Sequence, residues 1–89
     1  MNLEELKEKH EELVNIILTE EEQLIQTHKN VLNEQVDLIK KQMTLLGDVD
    51  RPGSDIDEYI FGLEGILSSQ LEFMKDLKNK LTSFKGHIS

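Results

Sequence analysis

One short segment near the middle of the chain, residues 47–54, is the only strong interruption of an otherwise helix-compatible sequence. It contains the single proline of the 89 residues, followed directly by a glycine. Glycine can end a helix, and Pro-Gly favours a tight turn. The flanking sequence is rich in Leu, Glu and Lys, the composition of long helices. The sequence therefore predicts an all-α fold, with helix 1 at about residues 3–46, a turn at 47–54 and helix 2 at about 55–85.

The turn segment also carries the start signal of helix 2. Pro52 and Gly53 supply the turn itself. Ser54 or Asp55 can then cap the first orphan N–H groups of the helix, and Asp55 with Glu58 three residues later has the spacing of a capping box. We expect Pro52, Gly53, Ser54 and Asp55 to form the turn and cap.

The two helices must differ in length. At 1.5 Å per residue they would be roughly 65 and 45 Å long, and a short loop makes them antiparallel neighbours. The prediction is a single helical module, an antiparallel hairpin of one long and one shorter helix. Residues before about Ile17 would project beyond it.

Apolar columns repeating every seven residues indicate that each helix has more than one neighbour. Helix 1 has two columns, separated by a polar line through His28, Gln35 and Gln42. Helix 2 has a four-three seam, widened by a column through Tyr59 and its heptad relatives, beyond what a two-stranded coil covers. We therefore expect hairpins to associate into a helical bundle, with a homodimer as the first expectation and its parallel or antiparallel sense open. The predicted helix–helix interface comprises Leu3, Leu6, Leu13, Ile17, Leu24, Val31, Leu38, Leu45, Ile25, Leu32, Ile39, Ile60, Leu63, Leu67, Met74, Leu77, Leu81 and Phe84.

Three local signals leave alternatives. Thr19 and Glu22 have capping-box spacing inside helix 1, but the apolar column passes through without slipping, which favours one continuous helix. Gly62 and Gly65 each cost helix stability, and indicate either close approach of another backbone or simple tolerance.

The sequence contains no pattern for chemistry. It contains neither of the glycine-rich nucleotide-binding motifs, GxxxxGK[ST] and GxGxxG. Its histidines form no HExxH pattern and have no cysteine partner for a metal site. We therefore expect no catalytic, cofactor-binding or metal-binding residues. The net charge of −8 disfavours nucleic acid and anionic membrane as partners. No apolar run approaches the roughly 20 residues that span a bilayer. There are no cysteines.

Two surface features of helix 2 could contact a partner. Phe61 lies on its outer side, where a lone apolar residue is also unremarkable. Lys78, Lys80 and Lys85 form a basic patch near its end, where they could also simply complement the helix dipole.

The chain resembles a known family from Glu20 to Lys85, most specifically at the turn and the Asp-Glu-Tyr that follows it. The family is the kinesin-13 group of microtubule-depolymerising kinesins, and the similar part lies C-terminal to their motor domain. The residues that carry the resemblance are Glu20-Glu21-Glu22-Gln23-Leu24-Ile25, His28-Lys29, Met43 through Leu46, Asp48-Val49-Asp50-Arg51-Pro52-Gly53, Asp57-Glu58-Tyr59-Ile60, Leu63, Ile66-Leu67 and the ending from Leu77 to Lys85.

The resemblance implies a non-catalytic dimerisation and regulatory module. ATP and Mg would belong to a motor domain upstream, absent from this chain. Its partners would be a second copy of itself, its own motor domain and, through the full-length protein, tubulin and microtubules. It would act in the cytoplasm, on the cytoskeleton of microtubules and spindle. The alternative is a structural coiled-coil adaptor of a cytoskeletal or kinetochore complex, and a third idea is direct binding of microtubules through the basic patch.

Overall fold

The protein is a hairpin of two long helices. The computed structural model describes residues 2–88. Helix α1 runs from Leu3–Val49 and helix α2 from Ile56–Ile88, and they pack side by side along a molecule measuring 78 × 15 × 15 Å. The radius of gyration is 21.4 Å, whereas a compact domain of this length would have about 12 Å. The predicted all-α hairpin is confirmed.

The helices are longer than the sequence indicated. Helix α1 continues through Gly47 to Val49, and α2 extends to Ile88. Gly47 does not end the helix, which continues two residues further to the half-buried Val49. Helix α1 is also unbroken at Thr19, where the acidic stretch is a solvated face rather than a second start.

The start of α1 has a cap that the sequence analysis did not identify. The side chain of Asn2 accepts a hydrogen bond from the N–H of Glu5 at 2.8 Å. Asparagine is among the best residues for this role, since it satisfies one of the orphan donors of the first turn. Glu4 and Glu5 add negative charge at the positive end of the helix dipole.

Ser54 and Asp55 stabilise the ends of different helices. The Ser54 hydroxyl donates to the carbonyl of Val49 at 2.8 Å, so it closes the end of α1. The Asp55 carboxylate accepts from the N–H of Asp57 at 2.9 Å, so it caps the start of α2. Between them, the N–H of Ser54 donates to the carbonyl of Arg51 at 3.2 Å, and Gly53 has a positive φ of 79°. Glycine occupies that conformation at little cost.

The core is a single narrow seam between the helices. Val31, Leu38 and Ile66 are the buried hydrophobic residues within residues 2–88, at 5, 7 and 9% exposure. The seam ends near Glu20, whose carboxylate lies 2.5 Å from the His87 imidazole. Before about Ile17, which is half-buried, α1 has no described part of α2 beside it, and Leu3 is 75% exposed. This N-terminal extension of α1 begins about where the helix lengths predicted.

Candidate interaction surface

The two helices pair in one register along the whole hairpin. Near the turn, Leu45 contacts Gly62. In the middle, Val31 and Asp76 line a common groove, and at the far end Glu20 meets His87. Each pair has nearly the same sum of residue numbers, as a regular antiparallel pair of helices requires. The register therefore identifies which residues of α1 and α2 lie level with each other.

Four level pairs form a continuous apolar surface on one side of the hairpin. Their side chains are 46 to 53% exposed, although all are large and apolar. The last pair, Ile25 and Leu81, lines one groove together with His28, which shows that the two columns share a side. We call this surface the apolar face, and its pairs are Leu46 with Ile60, Ile39 with Leu67, Leu32 with Met74, and Ile25 with Leu81.

A glutamine cluster lies between the two columns of the apolar face. The side-chain amide of Gln42 donates to the Gln70 side-chain oxygen at 3.1 Å. The Gln35 amide donates to the Gln70 backbone carbonyl at 3.2 Å. All three residues are half-buried. The polar line recognised in the sequence is thus shared by both helices.

The other side of the hairpin is polar. The groove there is lined by Thr27, Asn30, Glu34 and Asp76 around the edges of Val31 and Phe73. A second apolar partner would have to cover these polar and charged groups, which is unfavourable without matching hydrogen bonds. The hairpin is therefore two-sided, and only one side suits an apolar partner.

The predicted interface residues fall into three places. In α1, Ile17, Leu24, Val31, Leu38 and Leu45 face α2, and are joined on α2 by Leu63, Leu77 and Phe84, buried or half-buried. The second group is exposed and belongs to the apolar face: Ile25, Leu32, Ile39, Ile60, Leu67, Met74 and Leu81. The third group, Leu3, Leu6 and Leu13, lies on the N-terminal extension with exposures of 52 to 75%.

The four-three seam expected on α2 is therefore divided between two surfaces. Its residues Ile60, Leu67, Met74 and Leu81 point outward. Their inward places are taken by residues that the interface prediction omitted, although their seven-residue spacing was visible in the sequence. They are Tyr59, Ile66 and Phe73.

The predicted partner-contact residues lie outside the apolar face. Phe61 is 70% exposed, on the back of α2. Lys78, Lys80 and Lys85 are exposed along its last turns. Lys80 lines a small groove with Glu20 and Ser83, on the side of the hairpin away from the apolar face.

Gly62 and Gly65, for which the sequence left close packing or simple tolerance open, have different surroundings. A Cβ on Gly62 would lie 3.0 Å from Leu45 Cδ2, so this glycine permits close approach of α1. A Cβ on Gly65 would meet nothing within 4 Å. Close packing therefore accounts for the first glycine and tolerance for the second.

The described residues offer no constellation for metal binding. Across residues 2–88, no group of three or more His, Asp or Glu side chains is placed to hold a metal ion. Neither described helix is long and apolar enough to cross a membrane. The surface with distinctive properties is the apolar face.

The single chain exposes more surface than a compact protein of its mass. Its accessible surface is 7321 Å², whereas a compact monomer of 10.3 kDa would expose about 5,400 Å². The excess is larger than the roughly 800 Å² that each partner of a stable protein–protein interface buries.

The fold defines the chain as a coiled-coil-like helical hairpin with an exposed apolar face. Comparison with known proteins specifies the family: the chain is related to the kinesin-13 proteins. It is 33% identical over 92% of its length to the kinesin-like protein KIN-13B of Arabidopsis thaliana, and 35% identical over 84% to KIN-13A of Oryza sativa subsp. japonica. The chain spans only 12% and 9% of those two relatives. No protein-family model and no solved structure matches the chain.

Proposed function

We propose that this chain is a non-catalytic dimerisation and regulatory module of a kinesin-13-like, microtubule-depolymerising motor. The observation that carries the proposal is the apolar face, whose eight large side chains remain about half exposed in the single hairpin. Removing such side chains from water contributes about 25 cal/mol per Å² of apolar surface. A second copy of the hairpin presents the same face and is the partner with matching chemistry.

The family relationship supports the motor part of the proposal. Both relatives are kinesin-like proteins many times longer than this chain. In that setting the ATP- and Mg-dependent motor lies elsewhere in the protein, and this segment joins two motors and regulates them through contact with the motor domain. The full-length protein would then work on microtubules of the cytoskeleton and spindle, in the cytoplasm.

The experiment compares two charged substitutions by light scattering coupled to gel filtration. Ile39→Asp places a carboxylate in the middle of the apolar face. Phe61→Asp makes a similar change at a more exposed apolar residue on the back of α2. We expect the first variant to elute as a monomer and the second to remain a dimer. Equal masses for both variants would contradict the assignment of the face.

The N-terminal extension of α1 favours a second candidate function. Leu3, Leu6 and Leu13 are exposed on a part of α1 that α2 does not reach. A helix of another protein could pair there, which is the behaviour of a structural adaptor in a cytoskeletal or kinetochore complex. A chain that stays monomeric alone, but forms a defined complex with an unlike helix, would favour the adaptor over the dimerisation module.

Direct microtubule binding is separable from both functions. Lys78, Lys80 and Lys85 would contact the acidic tubulin surface, and co-sedimentation of the chain with microtubules tests this. Replacing these lysines by glutamate should abolish co-sedimentation if the basic patch binds, while leaving dimerisation in place.

A further inference from the structure

We propose that the N-terminal extension of α1 binds one helix of a different protein, and that this helix carries acidic residues on both sides of its apolar seam. The proposal rests on the adaptor candidate given above and deepens it by naming the chemistry of the partner. The site comprises residues 3–16, the part of α1 beyond the described end of α2. At 1.5 Å per residue it is about 20 Å long.

The apolar face does not continue onto this extension. Leu18 is 51% exposed and lies one heptad before Ile25, at the end of the α1 column of that face. The next positions of the same column are Glu11 and Glu4. A helix docked on the extension therefore does not use the surface that we assign to dimerisation.

The apolar side of the extension lies in line with the seam that holds α2. Leu3 lies two heptads before Ile17, in the column that faces α2. Leu6 and Leu13 lie on the same side of the helix, three or four residues from members of that column. The three leucines are 75, 52 and 53% exposed. One helix placed end to end with α2 would cover all of them.

The charges of the extension are sorted around the helix. With the leucines at heptad positions a and d, Lys7 takes position e and Lys9 takes position g, which flank the seam. Both lysines are exposed. The acidic residues take the outer positions b, c and f: Glu4, Glu5, Glu8, Glu11 and Glu12. A docked helix would therefore meet basic residues, although the segment as a whole is acidic.

The two lysines have no acidic partner within the hairpin. Neither the Lys7 nor the Lys9 ammonium group forms an ion pair with a carboxylate of residues 2–88. Opposite charges at positions e and g of neighbouring helices set the choice of partner in coiled coils. Acidic residues at these positions of a partner helix would supply the missing counter-charges.

A histidine in the middle of the seam fits the same partner. His10 takes an a position between Leu6 and Leu13, and it is exposed. An imidazole carries an N–H donor in each of its protonation states. A carboxylate from the flank of a docked helix would accept this hydrogen bond, whereas a purely apolar partner would leave the donor unpaired.

A second copy of the extension is a poor occupant. Antiparallel pairing with the leucines interlocked places Leu6 against His10 of the partner subunit. The flanking positions then bring Lys7 beside Lys7 of the partner subunit, and Lys9 beside Lys9 of the partner subunit. Like charges on both sides of a short seam oppose such pairing.

Other arrangements of two copies fail on space or contact. A shift of one heptad brings Leu3 level with Glu20 of the partner subunit, where His87 of the described α2 already lies. The opposite shift leaves Leu13 uncovered. In parallel pairing, the second α1 would continue into the space that α2 occupies beside the first. The charges and the available space therefore both favour a helix of a different protein.

The test uses two synthetic helices as probes. Each peptide has three heptads with leucine at every a and d position, and the two differ at e and g, which are glutamate in one and lysine in the other. Fluorescence anisotropy measures their binding to the complete 89-residue chain. We expect the glutamate peptide to bind about five- to tenfold more tightly at low salt, because ion pairs replace like-charge contacts. About 1 M salt should remove this preference.

Two substitutions locate the bound peptide on the chain. Leu6→Asp places a carboxylate in the seam of the extension and should abolish binding. Ile39→Asp makes a comparable change in the apolar face, where the exposure is similar at 51%, and should leave binding unchanged. Binding that survives Leu6→Asp but is lost in Ile39→Asp would place the peptide on the apolar face and overturn the inference.

A charge-reversed variant tests the role of the lysines. Lys7→Glu combined with Lys9→Glu should reverse the preference, so that the lysine peptide binds more tightly. The matched control combines Lys40→Glu with Lys41→Glu, which makes the same change of charge at exposed positions of the same helix, about 45 Å away. The control should keep the preference of the wild type. An unchanged preference in the first variant would overturn the inference.

The outcomes separate this inference from the functions proposed above. Equal binding of the two peptides overturns the acidic partner and leaves the adaptor candidate standing. Binding of neither peptide overturns both. Light scattering of the chain alone should give the same mass for Leu6→Asp as for the wild type. A lower mass would mean that a second copy occupies the extension, which also overturns the inference.

Discussion

Leu45 and Gly62 make the closest approach of the two helices near the turn, with 3.0 Å between Leu45 Cδ2 and the position of a Cβ on Gly62. A side chain there would have to displace the leucine, whereas Gly65, one turn further along α2, has open space around it. Two alanine substitutions in one helix therefore separate helix propensity from packing.

Gly65→Ala should raise the free energy of unfolding by about 0.5–1 kcal/mol, since alanine is the better helix former and meets nothing. Gly62→Ala gains the same propensity but must shift Leu45, so its stability should be lower than that of Gly65→Ala by about 1 kcal/mol. Urea unfolding of both variants provides the measurement. Equal gains would show that Leu45 moves aside freely.

Substitutions at the adjacent residues Leu38 and Ile39 should affect different properties, the stability of the hairpin and its association. Leu38 is 7% exposed and Ile39 is 51% exposed. Leu38→Ala should lower the free energy of unfolding by about 2–4 kcal/mol, because it leaves a cavity in the seam of each hairpin. Ile39→Asp should keep the helical circular dichroism signal but remove the dependence of the melting temperature on chain concentration.

Thermal melts at two chain concentrations, tenfold apart, distinguish these effects. The wild-type melting temperature should rise with concentration, as it does when folding is linked to association. A concentration-dependent melt that persists in Ile39→Asp would remove this residue from the association surface.

Substitutions at two positions of the turn should lower the free energy of unfolding. Gly53→Ala puts a side chain at a φ of 79° and should cost about 1–2 kcal/mol. Asp55→Ala removes the acceptor of the Asp57 N–H and should cost about 1 kcal/mol. Urea unfolding tests both, with Arg51→Ala as a control, because the Arg51 guanidinium lies 3.8 Å from Asp48 in a highly exposed pair. A loss in Arg51→Ala as large as in Gly53→Ala would contradict the assigned roles.

Much of this fold could be predicted because heptad spacing and one Pro-Gly segment largely determine a helical hairpin. The helix ends were harder to predict, since Gly47 has the signature of a helix end and yet α1 continues to the half-buried Val49. The division of the α2 seam was also hidden. Leu63, Ile66 and Leu67 are all apolar, and spacing alone cannot say that Ile66 points at α1 while Leu67 points outward. That choice depends on the register of the two helices, which the turn and the Leu45–Gly62 contact fix together.

Sedimentation equilibrium of the 89-residue chain across a concentration series tests the central claim most directly. An apolar face that binds a second copy predicts a mass of twice 10.3 kDa at micromolar concentrations, falling toward the monomer only on dilution. A mass of 10.3 kDa throughout the series would contradict self-association through this face.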